Sequence, residues 1–151
     1  MDKAAIEKEL NDYFVAFGRK EIQLKNQIEK AERAQYEQLK DFAVGLIEMI
    51  DGLDRKIERQ NNKEEEEESK EARKALKTLI NMRKKMLRLL DRFGIRPIVF
   101  PDNQLIESYA KVLGSEPSRD HQDREILRII LPGYMQASQI IRQAEVIVVK
   151  N

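Results

Sequence analysis

"MLRLLDRFGIRPIVF", residues 86–100, changes period at its middle, and that change decides the fold. Through Phe93 the apolar residues Met86, Leu89, Leu90 and Phe93 fall three or four apart, the spacing of one helical face. From Ile95 the run Ile95, Pro97, Ile98, Val99, Phe100 is extended in character, with Pro97 suited to a strand start or an edge. Gly94 sits between the two, where a helix stops. Helix before this point and sheet after it make an α+β chain.

Upstream, residues 70–93 place Ala72, Ala75, Leu76, Leu79, Ile80, Met82, Met86, Leu89, Leu90 and Phe93 on a face too broad for a two-helix seam, as in a bundle. Glu64–Glu68 is expected to open this helix, facing the positive end of its dipole, with Arg83, Lys84, Lys85, Arg88 and Arg92 toward the other end. Asn61-Asn62-Lys63 separates it from a first helix, in which residues 2–60 contain no proline. Leu10, Phe14, Phe17, Leu24, Ile28 and Ala31 form a coiled-coil-like stripe. It slips by one position and resumes at Phe42, Leu46, Met49 or Ile50, Leu53 and Ile57. Such a stripe stays wet unless a second helix covers it. We therefore expect a homodimer whose two helical hairpins form a four-helix bundle, with Phe42, Leu46, Ile50, Leu53, Leu79, Met86 and Leu90 at the interface. Asp41, Glu48, Asp51, Asp54 and Glu58 on the first helix complement the basic second one.

Downstream, the expected strands are Ile95–Phe100, Ser108–Leu113, Ile126–Leu131 and Ile140–Val149. A turn at Pro101-Asp102-Asn103 and a polar loop over 114–125 interrupt them. The expected division is a paired long helix over 1–40, the hairpin and bundle over 41–93, and a small β-domain over 94–151.

Charged residues are 36% of the 151 and aromatics 6%, a balance that suits exposed amphipathic helices. A net charge of +1 supplies no global field for nucleic acid or anionic lipid. The chain has no cysteine, which fits a reducing cytoplasm, and no apolar run near the roughly 20 residues of a membrane span. The first fourteen residues lack an apolar signal core. We expect a cytoplasmic protein without nucleic-acid or membrane contact.

Chemistry-bearing patterns are scarce. The six glycines are too scattered for a phosphate-cradling loop. His121, between Asp120 and Asp123, is the single histidine and cannot complete a transition-metal set without cysteines. The cations Arg83–Lys85 lack interleaved aromatics. We expect no enzyme, no metal and no cofactor.

Three segments, in this order, resemble the GrpE family, the nucleotide-exchange co-chaperones of DnaK-type chaperones. Leu46–Arg55, "LIEMIDGLDR", is similar to the family's "LLPVLDNLERA". Met86–Ile95 matches its "L..LLEKFGV" helix exit. Gly133-Tyr134, Ile141-Arg142, Ala144 and Val146–Lys150 follow its "GY.L..R.IRPA.V.V.K" ending. The resemblance implies a parallel dimer of long helices and a four-helix bundle. A β-domain on each protomer would bind the nucleotide-binding domain of a DnaK-type chaperone and promote ADP release. Matching residues, the chaperone-facing positions would be Ile130, Gln139 and Val148, with Tyr134 and Arg142 supporting them; Ile130 and Val148 also read as sheet core. The chain departs from the family at Gln139, where Arg is usual, and at Ser138, where Gly is usual. Its Tyr109 takes the place of a His. These departures keep open an alternative, a coiled-coil scaffold or adaptor of the same fold with weakened or lost exchange.

Overall fold

A computed structural model describes residues 2–62 and 69–151. The elements are helices α1 (Lys3–Asn61) and α2 (Lys70–Arg92), then strands β1 (Ile95–Pro97), β2 (Ala110–Glu116), β3 (Ile126–Leu131), β4 (Tyr134–Gln136), β5 (Gln139–Arg142) and β6 (Ala144–Val149). The chain divides into two compact units between Asp41 and Phe42. In the first unit, which is helical, none of the described residues is buried. Leu10, Phe14, Phe17, Leu24 and Ile28 are each at least half exposed, so their stripe lies open.

The second unit, Phe42–Asn151, holds the rest of α1, α2 and all six strands. Ser69 caps α2, its hydroxyl accepting the Ala72 amide at 3.1 Å. A serine before a charged first turn is an N-cap signal. The expected helix start at Glu64–Glu68 lies outside the described residues. At the far end the Phe93 and Gly94 amides donate to Leu90 and Asp91, and Gly94 takes a left-handed φ of 72°. That conformation ends helices and favours glycine.

The two helices run antiparallel. The Arg83 guanidinium grips the Asp54 carboxylate, and Lys56, Arg59 and Gln60 share a groove with Ala72, Ala75 and Leu76. Continuing that register brings Ile47 level with Leu90, and both are fully buried, as are Ile50 and Ala43. The sequence left Met49 and Ile50 as alternatives on one stripe. The structure separates them: Ile50 is covered within its own chain, whereas Met49 is 57% exposed. Ile50 and Leu90 therefore present no free surface to a second copy. Phe42 and Met82 remain exposed, and Leu46, Leu53, Leu79 and Met86 are half-buried.

The strands form two three-stranded sheets, ordered β1-β4-β5 and β2-β6-β3. The first is antiparallel throughout; in the second, β6 pairs parallel with β2 and antiparallel with β3. Ile98, Phe100, Ala110, Ile126, Ala144, Val146 and Val148 form the β-domain core, with Leu105, Ile106, Tyr109 and Met135 against it. Ile126–Leu131 forms where expected. The expected strand Ile140–Val149 is in fact two strands, broken at Gln143, where the chain crosses from one sheet to the other. There Gln143 Nε2 donates to the Ser108 carbonyl and the Ala144 amide to the Tyr109 carbonyl. β2 begins at Ala110 and runs to Glu116, so the polar loop is shorter than expected. β4 was missed, its three residues being too few to show a period.

Candidate functional site

The five residues expected to face a partner part company in the structure. Ile130 and Gln139 are exposed, on different sheets. β3 spends six residues opposite four of β6, its register shifting between Ile126 and Arg128 and again between Ile129 and Leu131. Leu127 and Ile130 are the residues left without partners at those two shifts. Bulges of this kind re-aim a side chain and discourage a further strand from pairing at the edge. Ile130 is 52% exposed, and its paired neighbour Ile129 is 49% exposed, so both isoleucines of this edge strand lie open.

Gln139 opens β5 opposite Gln136, directly after the two-residue turn Ala137-Ser138. Ala137 takes the left-handed φ of 50°, a conformation that costs a non-glycine residue about 1–2 kcal/mol. The strain therefore falls on Ala137, next to the position where the family usually has glycine. Val148 lies across from Ile126 in the core and is buried, as is Tyr134. Neither offers surface in this chain; for Val148 the structure favours sheet core over contact.

Arg142 is engaged inside the molecule. Its Nη1 donates to Asp51 Oδ2 at 2.6 Å and its Nη2 to Asp51 Oδ1 at 3.1 Å. Nη2 and Nε also reach the Pro132 carbonyl, at 2.6 and 3.2 Å. The guanidinium lies 5.6 Å from the centre of the Tyr134 ring, a cation–π distance. Burial, and then the negative charges of Asp51 and Asp54, hold the Tyr134 hydroxyl above its ordinary value of 10.0, with Arg142 and Arg83 opposing. Asp51 is the one buried charged residue among those described. Burying a carboxylate demands such a partner, and removing either member of a buried pair costs about 3–5 kcal/mol.

Sequence reasoning missed Asp51 as a site residue. It stands in the quoted Leu46–Arg55 segment, but its partner is 91 positions away and no local pattern marks the pairing. The turn leading into β3, by contrast, is held locally. The Gln122 amide and His121 bind the Glu125 carboxylate and keep it below its ordinary range. His121 thus has a structural partner, and among the described residues no cluster of His, Cys, Asp or Glu could hold a metal ion. No helix among those residues is long and apolar enough to cross a membrane.

Exposed on the described residues are Ile130 on a bulged strand, Gln139 after a strained turn, and an open apolar stripe on α1. A GrpE family model matches residues 4–150. The chain belongs to the GrpE family. Membership accounts for the order of parts, with a long helix, a second helix and a terminal β-domain, and it makes the protein a relative of co-chaperones. No curated protein matched the chain.

Proposed function

We propose that this GrpE-family chain is a dimeric nucleotide exchange factor, which binds the nucleotide-binding domain of a DnaK-type chaperone and promotes ADP release. The family match over residues 4–150 carries this reading. Residues 1–40 pair with a second copy, residues 41–93 form half of a four-helix bundle, and residues 94–151 meet the chaperone through Ile130 and Gln139. Support for pairing comes from two open stripes. On α1, Phe42, Leu46, Met49 and Leu53 are spaced four, three and four. On α2 and its C-cap, Ala75, Leu79, Met82, Met86, Leu89 and Phe93 keep the same alternation, and none of these ten is buried. Spacing of this kind fits a coiled-coil seam.

The mechanism is binding linkage. A factor that prefers the open nucleotide-binding domain weakens ADP, and ADP weakens the factor equally. A hundredfold weakening of ADP affinity of this origin corresponds to roughly 2.7 kcal/mol of coupling. The protein needs no metal or cofactor of its own for it. The decisive experiment mixes the protein with a DnaK-type chaperone loaded with fluorescent ADP. Faster release is expected, and an unchanged rate with a chaperone of verified activity would sink the reading.

A second reading, a scaffold of the same fold with weakened exchange, is favoured by Gln139 itself. An exposed amide there replaces the multi-donor cation usual in the family. Gln139→Arg separates the two: a gain in ADP release marks a weakened exchange site, and no gain leaves the scaffold standing.

A further inference from the structure

We propose that Arg142 and Asp51 form a latch that fixes the β-domain on the helical hairpin, making both of them positioning residues for the chaperone-facing surface rather than parts of it. This rests on the exchange-factor reading above. The β-domain is attached to the hairpin covalently at one place, the Phe93-Gly94-Ile95 link, where Gly94 is in the left-handed region. The bonds Gln136 Nε2 to the Phe93 carbonyl (2.8 Å) and Arg96 to Asp91 (2.6 Å) are exposed and lie close to that same link. Leu90 and Ile95, buried on either side of the link, hold the same end. The latch supplies a separate attachment on the other helix, and its bidentate geometry restricts rotation about the link.

One guanidinium does this for three pieces of chain. From β5 it holds α1 through Asp51, the β3–β4 turn through Pro132, and β4 through the Tyr134 ring. Ile130 lies two residues before Pro132, and Gln139 three residues before Arg142. Both surface residues are thus short covalent steps from groups the latch holds. Apolar side chains would stabilise a buried junction as well as an ion pair does. A planar, bidentate fork adds a defined direction.

The test uses full-length protein and the variants Arg142→Gln, Asp51→Asn and Arg142→Lys. Lysine keeps the charge, loses the fork, and serves if the glutamine variant fails to fold. Amide residual dipolar couplings of the wild type should fit one alignment tensor for α2 and the β2-β6-β3 sheet. In the variants the sheet should need its own tensor. In ADP release, the maximal rate at saturating factor should fall roughly two- to thirtyfold, while the half-saturating concentration stays within about twofold, because Ile130 and Gln139 are untouched. Variants that keep one tensor and the wild-type maximal rate would overturn the latch. So would a raised half-saturating concentration at an unchanged maximal rate, which would make Arg142 a contact. If the wild type itself releases no ADP, the exchange-factor reading falls, and the dipolar couplings alone decide the latch.

Discussion

At Gly133 the demand is for space. A Cβ there would stand 2.4 Å from the Ala144 amide nitrogen, 2.8 Å from Ile98 Cδ1 and 2.9 Å from the Arg142 carbonyl oxygen. Two of these are backbone atoms on either side of Gln143, so Gly133→Ala has to push the β5–β6 crossing away from the turn between β3 and β4. Overpacking of this sort costs about 1–3 kcal/mol, and we expect the lower urea midpoint to show it with helical signal retained. Tyr134, one residue on, makes an alkaline prediction. Because its hydroxyl is held above the ordinary value of 10.0, the folded chain keeps that proton to higher pH than the unfolded chain does. The associated stability is full below about pH 10 and is lost as pH rises through the folded value. Tyr134→Phe keeps the ring under Arg142 and removes the ionisation. Urea midpoints between pH 8 and pH 11 should therefore decline less steeply in the variant than in the wild type, by a difference that vanishes below pH 9.

At the level of the element, β3 separates an open position from a covered one. Ile130 at the bulge is open and Val148 opposite the strand's start is covered, although both read as apolar strand positions. On the exchange-factor reading, Ile130→Ser should weaken chaperone binding in a titration and leave the unfolding free energy within about 0.5 kcal/mol of the wild type. Val148→Ala should do the reverse, with roughly 1–2 kcal/mol of stability lost through the cavity it leaves. The difference marks the limit of what the chain discloses about itself. The helices were legible because their period persists over many residues, and Ile126–Leu131 because five of its six residues are apolar and three of them are isoleucine. The crossing at Gln143 was not, since neither proline nor glycine marks it and each half of Ile140–Val149 reads as strand. Bulges arise from pairing two strands, so nothing within β3 alone could announce that Ile126 would be covered while Ile129 and Ile130 stay open. The Asp51–Arg142 pair was hidden for the same reason, its members lying 91 positions apart. Asp54 with Arg83 was half legible, as a general match of acidic and basic helices but not as a specific contact.

For the whole molecule the unsettled energy is that of the open apolar stripes, and here the hairpin's two faces make opposite predictions. Ala43, Ile47, Ile50 and Leu90 are consumed within one chain, while Met49 and Met82 sit on the outer stripes with about half their surface in water. If a second copy covers those stripes, a carboxylate placed at Met49 or Met82 becomes buried and unpaired on association, at a cost of several kcal/mol, and costs little in the free protomer. Met82→Asp should therefore sediment as a folded monomer at concentrations where the wild type is a dimer. Ile50→Asp should instead unfold the second unit in either state. A thermal test is independent of hydrodynamics: the wild-type midpoint should rise with protein concentration, as mass action requires when only the folded form associates, and that dependence should disappear in Met82→Asp. A wild type with a concentration-independent midpoint and a monomer's sedimentation coefficient would show that no second copy covers the stripes, and the bundle would have to be abandoned whatever the β-domain binds.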